Sequence, residues 1–498
     1  APDARPVTPA AGTRRAPAGL GEAPARAVPE RPPGTISRAL GLSLLNTVLA
    51  RAGTFLAGIV LARLLAPADF GVYAVALVAL TALLSLNELG VSVALVRWRG
   101  DPRLIAPTVM TISIASSGVL YLGCWFAAPA FAAVMGAPSA TGVVRLLCVA
   151  VIVDGITAPP AQLLNREFRQ GARLVVDLLN LVLATGVTIA LAATGHGAWS
   201  LAWGQLTGNA VSALLLFRLV GSWPRPGLDR RQAVELLAFG APLAAASALV
   251  FAMLNLGYIV VGSTLGVVQL GFYLMAFNLA SWPVNVFSQV VRRVSLAAFA
   301  RVQDDRVRLE EALARLALLL AVPTLPVCVL LGLLALPVVA TVYGGRWAAS
   351  AGALQFLAVL AFVRVGSELA YDYLVALGRS RTTLWLQGLW FVSLLVALPL
   401  GARLDGIRGV ALAHGTVAVL VMLPAYAIAV ARTGVSLRGV GRSLVRPLLG
   451  GALLVAAVLA VRSAASGTLT VLALGSTLGL AVYVPVVWPV RHRLRELD

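Results

Sequence analysis

The sequence contains no lysine. All 39 of its basic side chains are arginines, against 20 acidic residues, for a net charge of +19. A phosphate-cradling loop of the Gly-x-x-x-x-Gly-Lys type is therefore excluded, and with it transport driven by ATP hydrolysis in this chain alone. Charge of either sign is scarce. Charged residues make up 12% of the chain, where a soluble protein carries about 25%. Cysteine is nearly absent too. Cys124, Cys148 and Cys328 lie far apart, each inside an apolar stretch, so no disulfide framework and no metal-ligand spacing can be drawn. His196 and His414 are isolated from other ligand types, and no metal site is expected. The chain also lacks any long polar insertion between its later apolar segments. This argues against a membrane enzyme such as a polyprenyl-linked glycosyltransferase or a repeat-unit polymerase, which would need acidic or histidine residues clustered outside the bilayer.

What is present is apolar. Hydrophobic residues make up 59% of the 498 positions, and the mean hydropathy is +0.91. About 20 apolar residues in a helix cross the roughly 30 Å of bilayer hydrocarbon. Fourteen such segments are predicted, at 39–62, 70–96, 104–126, 141–164, 174–194, 198–217, 236–262, 268–291, 313–333, 350–376, 383–402, 407–431, 444–461 and 467–488. Some of the intervening turns are very short, so twelve or thirteen spans also fit. The expected class is an all-α polytopic membrane protein. Residues 1–37, rich in Ala, Pro and Arg with no apolar run, are expected to form a disordered cytoplasmic tail.

The arginines orient the spans. If the N-terminus is cytoplasmic, the opposite side receives only Arg63, Arg346, Arg403, Arg408 and Arg462, and three more lie within spans. All the others fall on the cytoplasmic side, as the positive-inside rule requires. This placement accounts for the net charge without a nucleic-acid partner, and it puts both termini in the cytoplasm. The longest cytoplasmic connection follows Arg292. Its Asp304–Arg308 and Glu311–Arg315 spacings suit a solvated helix running into the next span.

An internal repeat divides the chain. Leu61–Ala76 contains Gly71-Val72-Tyr73, and 200 positions later Val261–Ala276 contains Gly271-Phe272-Tyr273. Gly197-Ala198-Trp199-Ser200 is echoed at Gly406-Ile407-Arg408-Gly409, and Leu164-Asn165-Arg166 at Leu377-Gly378-Arg379. Spans 1–6 therefore correspond to spans 7–12 in the same order. Six is even, so the halves enter the membrane in the same orientation, which makes this a parallel repeat about an axis along the membrane normal. The expected organisation is an N-lobe over 38–219, a cytoplasmic linker over 220–235 and a C-lobe over 236–431. Two further helices follow at 444–488, and a cytoplasmic tail at 489–498.

Six plus six plus two spans, together with the corner Leu61–Tyr73, Asn87-Glu88-Leu89-Gly90, Gly271-Phe272-Tyr273, Phe299–Asp305, Gly345-Arg346-Trp347 and Ala376-Leu377-Gly378-Arg379, resemble one superfamily. It is the multidrug/oligosaccharidyl-lipid/polysaccharide exporter superfamily, and within it the polysaccharide transporters, the Wzx-type oligosaccharide flippases. The likeness covers roughly residues 38–431. It implies alternating access of two lobes, translocating an undecaprenyl-pyrophosphate-linked oligosaccharide repeat unit across the cytoplasmic membrane for cell-surface polysaccharide assembly. The implied partners are that polyprenyl-pyrophosphate-linked glycan, membrane lipids, a proton or sodium as coupling ion, and the glycan polymerase and glycosyltransferase machinery. No cofactor is implied. A drug or cation antiporter of the same superfamily and a lipid II flippase are the alternative readings.

Charges inside the membrane are the candidate cavity residues, because an unpaired midplane arginine costs at least about 2.5 kcal/mol. Arg51 sits near the middle of span 1, within helical reach of Glu88 in span 2. Span 10 carries Arg364, Glu368 and Asp372 at intervals of four, with Tyr371 beside them. Arg364 suits an anionic head group, and Glu368 a proton or cation. In each case the structural alternative is plain charge compensation. Arg145, Asp154, Asp177, Asn180 and Asn255 form a second rank. Here a snorkelling arginine, a surface pair of Asp177 with Arg173 and interhelical hydrogen bonding are the simpler explanations.

Overall fold

The computed structural model describes residues 53–87, 102–166, 170–220, 225–302 and 305–490, and every regular element among them is helical. In chain order these are α1 (Gly53–Leu64), α2 (Pro67–Asn87), α3 (Pro102–Val134), α4 (Thr141–Arg166), α5 (Gln170–Ala193), α6 (Ala198–Val220), α7 (Arg230–Leu265), α8 (Val267–Val302), α9 (Arg306–Leu333), α10 (Ala335–Val342), α11 (Ser350–Ala376), α12 (Ser380–Val417), α13 (Leu423–Ala431), α14 (Arg438–Ala464) and α15 (Thr468–Val487). Eleven helical segments among the described residues are long and apolar enough to cross a membrane. One of these, Ser380–Ala431, is 52 residues long, about twice what a single crossing needs.

That segment folds back on itself. Asp405 and Gly406 leave helical geometry, and Gly406 takes φ 55°, a conformation open chiefly to glycine. A Cβ on Gly401 would lie 2.4 Å from the Gly409 carbonyl oxygen, and one on Gly409 would lie 2.0 Å from that of Gly401. Residues eight apart on a straight helix are about 12 Å distant, so the two limbs run antiparallel with backbones touching. Spans 11 and 12 thus appear where the sequence predicts them. They are joined by a two-residue turn at Asp405–Gly406.

Several helices outrun their apolar segments. α7 and α8 are each 36 residues long, and α9 begins at Arg306, because helix continues past the hydrocarbon wherever charged residues find water. Asp305 starts α9 by accepting the backbone N–H of Val307 and Arg308 at 3.0 and 3.2 Å, an N-cap worth about 1 kcal/mol. Of the two expected pairs on this segment, Glu311–Arg315 is made at 3.3 Å. Asp304 lies outside the described residues. α10 was not foreseen. It is short, and its Ala335 and Val339 are buried.

Prolines inside the spans free carbonyls that side chains then satisfy. Pro326 cannot donate to the Val322 carbonyl, and the Tyr483 hydroxyl of α15 takes that acceptor at 2.8 Å. This bond sits on an apolar seam of Leu318, Leu325, Leu334, Leu454, Val458 and Val487 that fixes α14 and α15 to α9.

The two lobes meet where α2 crosses α8. A Cβ on Gly71 would lie 1.8 Å from the Val267 carbonyl oxygen, and one on Gly271 would lie 1.9 Å from that of Pro67. Pro67 and Val267 are 200 positions apart, as are Gly71 and Gly271, so the contact is reciprocal, as across a pseudo-two-fold axis. The backbones approach as closely as in small-residue helix pairs in membranes. Gly271→Ala is expected to cost about 1–3 kcal/mol by overpacking. The measurement is the thermal midpoint of the purified protein in detergent. It should fall for this variant and hold for Gly118→Ala, whose added methyl meets nothing within 4 Å.

Candidate functional site

The seam between the lobes is latched at the arginine-poor end. Arg63, at the end of α1, donates to the Thr341 and Val342 carbonyls at 2.6 and 3.3 Å. Arg346 returns bonds to the Arg63 and Leu65 carbonyls at 3.0 and 3.3 Å. The indole N–H of Trp347 donates to the Ala62 carbonyl at 2.8 Å. Helix C-termini carry unsatisfied carbonyls and partial negative charge. Each lobe here supplies the guanidinium that caps the other's helix end. Trp347 is fully buried and stands edge-on to Phe70 and Phe272, with ring centroids at 5.1 and 6.0 Å. The repeated corners and the Gly-Arg-Trp motif, separate in sequence, therefore form one closure.

A cavity of about 600 Å³ lies in the second lobe, and its described walls come from α7, α8, α11, α12 and α13. On one wall Arg364 Nε donates to Glu368 Oε1 at 3.2 Å, and Tyr371 stands beside them. Both members of the pair keep about a quarter of their side chains exposed. The order, arginine before glutamate, is the less favourable one along a helix. The pair thus adds little to helix stability and leaves a solvated cation and anion facing the cavity. On the opposite wall α12 presents Ser380, Thr383, Gln387, Trp390 and Leu394, a spacing that keeps all five on one helical face. The buried Trp390 indole nitrogen has no hydrogen-bond partner among the described residues.

Phe277 and His414 line the cavity, and aromatic packing lies behind them. Tyr258 meets Tyr273 and Phe277 edge-on at 5.8 and 5.5 Å, and the Tyr273 hydroxyl lies 3.3 Å from His414 Nδ1. The first lobe repeats this pairing. Tyr73 donates to Gln205 Oε1, and Tyr73 stands 200 positions before Tyr273, as Gln205 stands 209 before His414. Both intervals are the repeat's own. The sequence reading weighed His414 only as a metal ligand and did not name Gln387, Trp390 or Tyr426, although the repeat carried a signal for His414.

Next to the cavity an apolar groove of about 360 Å³ runs between α9, α11, α13 and α14. Ser367 and Tyr426 line both spaces, so the chamber that holds the Arg364–Glu368 pair and an apolar slot share a wall.

The remaining candidates fall elsewhere. Arg51 and Glu88 lie outside the described residues. Asp372 does not line the cavity. It is buried, and its carboxylate accepts from Ser295 Oγ of α8 at 3.0 Å. Eight residues turn a helix about 80° past two full turns, so the third charge of the expected stripe rotates away from Arg364. Asp154 joins an N-lobe polar cluster. Asn87 Nδ2 donates to its carboxylate at 3.1 Å, and Asn87 Oδ1 accepts from Ser116 and Ser117 at 3.1 and 2.9 Å. Arg145 reaches the Trp125 carbonyl at 3.1 Å, which Pro129 leaves free, and lies 4.6 Å over the Trp125 ring. Asn180 donates to Ser212 at 2.7 Å, and Asn255 to the Phe251 carbonyl of its own helix at 3.0 Å. Asp177 is half-buried on α5. The side chain of Arg173, its expected partner, lies outside the described residues.

This architecture has known counterparts. A family model described as "Polysaccharide biosynthesis protein" matches residues 60–352. The chain belongs to that family. It is 27% identical over 380 residues to the succinoglycan biosynthesis transport protein ExoT of Rhizobium meliloti (strain 1021), covering 75% of each chain. It is 25% identical to the lipopolysaccharide biosynthesis protein WzxC of Escherichia coli (strain K12), over 71% of this chain and 72% of that one. Among solved structures, the lipid II flippase MurJ in an inward closed conformation superimposes with a TM-score of 0.75. It has 14% identity and covers 92% of this chain and 99% of its own. An inward-facing MATE multidrug transporter gives 0.61, with 17% identity, over 79% and 98%. These two show that the chain shares their fold, while the family rests on the match over residues 60–352.

The latch leads to a direct expectation. In a cysteine-free background, a cysteine at Leu65, 2% exposed in this closure, should resist a membrane-impermeant maleimide. Adding Arg346→Ala should speed labelling several-fold. Equal rates in the two proteins would show that the cross-lobe bonds do not hold the seam shut.

Proposed function

We propose that this multi-pass membrane protein translocates a polyprenyl-pyrophosphate-linked oligosaccharide across the cytoplasmic membrane, for assembly of a cell-surface polysaccharide. The observation that carries the reading is the join of two spaces. One is a chamber with a solvated arginine and a wall of hydroxyl, amide and indole groups. The other is an apolar slot sharing its boundary. Such an amphiphile has three parts, and each finds its chemistry. The pyrophosphate suits the Arg364 guanidinium, whose fork matches phosphate oxygens. The sugars suit Ser380, Thr383, Gln387 and the unpartnered Trp390 N–H, where a hydroxyl would satisfy a buried donor. The polyprenyl chain suits the groove lined by Leu313, Leu320, Leu423 and Leu444.

The latched arginine-poor end faces the outside in this reading, so the described conformation is closed to the periplasm, and both termini are cytoplasmic. That orientation rests on the arginine asymmetry of the sequence. Binding and rocking replace bond making, and the protein acts as a transporter rather than an enzyme. Glu368 holds Arg364 in the empty chamber and competes with an incoming anion. An ion gradient, of protons or sodium, is the energy source that fits a chain without a nucleotide loop. The polysaccharide relatives favour this reading over drug antiport, as does the mixed charge of the chamber. A chamber selecting cationic drugs would be acidic throughout.

The test is flipping of a fluorescent polyprenyl-pyrophosphate oligosaccharide in proteoliposomes. Arg364→Gln should slow translocation at least about tenfold, the effect of losing roughly 1.4 kcal/mol of charge-assisted bonding. Trp390→Phe should slow it less, and only for substrates carrying sugars. A protein that moves no lipid-linked sugar but exchanges cationic dyes for protons would place the chain with the antiporters.

A further inference from the structure

A second recess, with an arginine rim, opens on the outer surface of the C-lobe at the arginine-rich end. It encloses about 700 Å³ between α12 and α13. Arg379, just before α12, and Arg432, just after α13, stand at its rim with the Thr382 hydroxyl, while Trp385, Leu389 and Ile428 form the wall below. Both arginines are exposed, and neither guanidinium makes a hydrogen bond or an ion pair with any described residue. Among the described residues no acidic side chain lines the recess. Trp385 is 80% exposed, a surface suited to the head-group level of a bilayer.

The recess is separate from the transport chamber. α12 turns Ser380, Thr383, Gln387 and Trp390 to the chamber, and Arg379, Thr382, Leu386 and Leu389 to the recess. The two sets are one residue out of register, or about 100° around the helix. α12 thus lends one face to the recess and another to the chamber wall.

We infer that the Arg379–Arg432 recess binds the phosphate head of an anionic phospholipid of the surrounding leaflet. Two unpaired guanidiniums above an apolar wall complement a phosphodiester above acyl chains. A free phosphate would leave the apolar wall uncovered, and a zwitterionic lipid would bring a second cation to the rim.

The experiment titrates the purified full-length protein in detergent with phosphatidylglycerol and follows the thermal midpoint, giving an apparent affinity. A cationic side chain near a lipid surface contributes about 1 kcal/mol. Arg379→Gln or Arg432→Gln alone should therefore weaken phosphatidylglycerol binding about fivefold, and the pair together about thirtyfold. The control pair Arg438→Gln and Arg442→Gln, outside the recess, should leave it unchanged. Arg379→Lys with Arg432→Lys should retain most of it, which guards against a variant that merely misfolds. The inference is overturned if the double glutamine variant binds phosphatidylglycerol like the parent, or if the control pair weakens it equally. It is also overturned if phosphatidylcholine or inorganic phosphate stabilises the protein as well as phosphatidylglycerol does. Displacement of phosphatidylglycerol from the recess by a polyprenyl phosphate at lower concentration would make it a substrate entry point instead.

Discussion

The structure depends on a place where side chains are absent. Gly71 and Gly271 let the backbones of α2 and α8 touch, and each glycine faces the carbonyl that its repeat partner's helix offers. In hydrocarbon, helices gain little from mutual apolar burial, because lipid tails are as apolar as leucine. What holds two lobes together there is close packing and the satisfaction of polar backbone groups. The glycine crossing supplies the first. The Arg63, Arg346 and Trp347 bonds to helix-end carbonyls supply the second. A reciprocal contact of this kind is also a suitable pivot, because both lobes can turn about it without losing register.

The chamber lies within the second lobe, between α7, α8, α11, α12 and α13. Arg364 and Glu368 are tolerated in a membrane helix because they face this space and each other, not lipid. Asp372, eight residues on from Arg364, has turned into packed protein and takes a serine hydroxyl there. The pseudo-symmetric hydroxyl contacts, Tyr73 with Gln205 and Tyr273 with His414, show how far the lobes share a plan. Their divergence shows where the plan has been specialised. Imidazole replaces amide only in the lobe that holds the described chamber.

Much of the fold was legible in the sequence. Apolar length marked the spans and the repeated Gly-x-Tyr corner marked the two halves. The short turn at Asp405–Gly406 was predicted from the break between two apolar runs, and the touching glycines on either side account for it. α10 was missed because a short apolar helix packed at a bundle end has no periodic signal of its own. In the candidate site, the Arg364–Glu368 pair was visible because a charge in an apolar run stands out. Gln387 and Trp390 were not, because an amide or an indole among leucines suits lipid, protein or cavity equally well.

Sequence alone determined that this chain is a helical, multi-pass membrane protein, because the bilayer enforces span length and backbone satisfaction on every segment separately. It also determined the family, through motifs whose residues recur in order. Tertiary structure alone decided what those motifs do. Gly345-Arg346-Trp347 and Leu61–Ala76 close a seam, Asp372 leaves the chamber, and α12 divides its two faces between the chamber and the Arg379–Arg432 recess. These outcomes depend on which helix lies beside which, and on rotations of tens of degrees about each axis. A one-dimensional pattern of apolar and charged residues does not specify either.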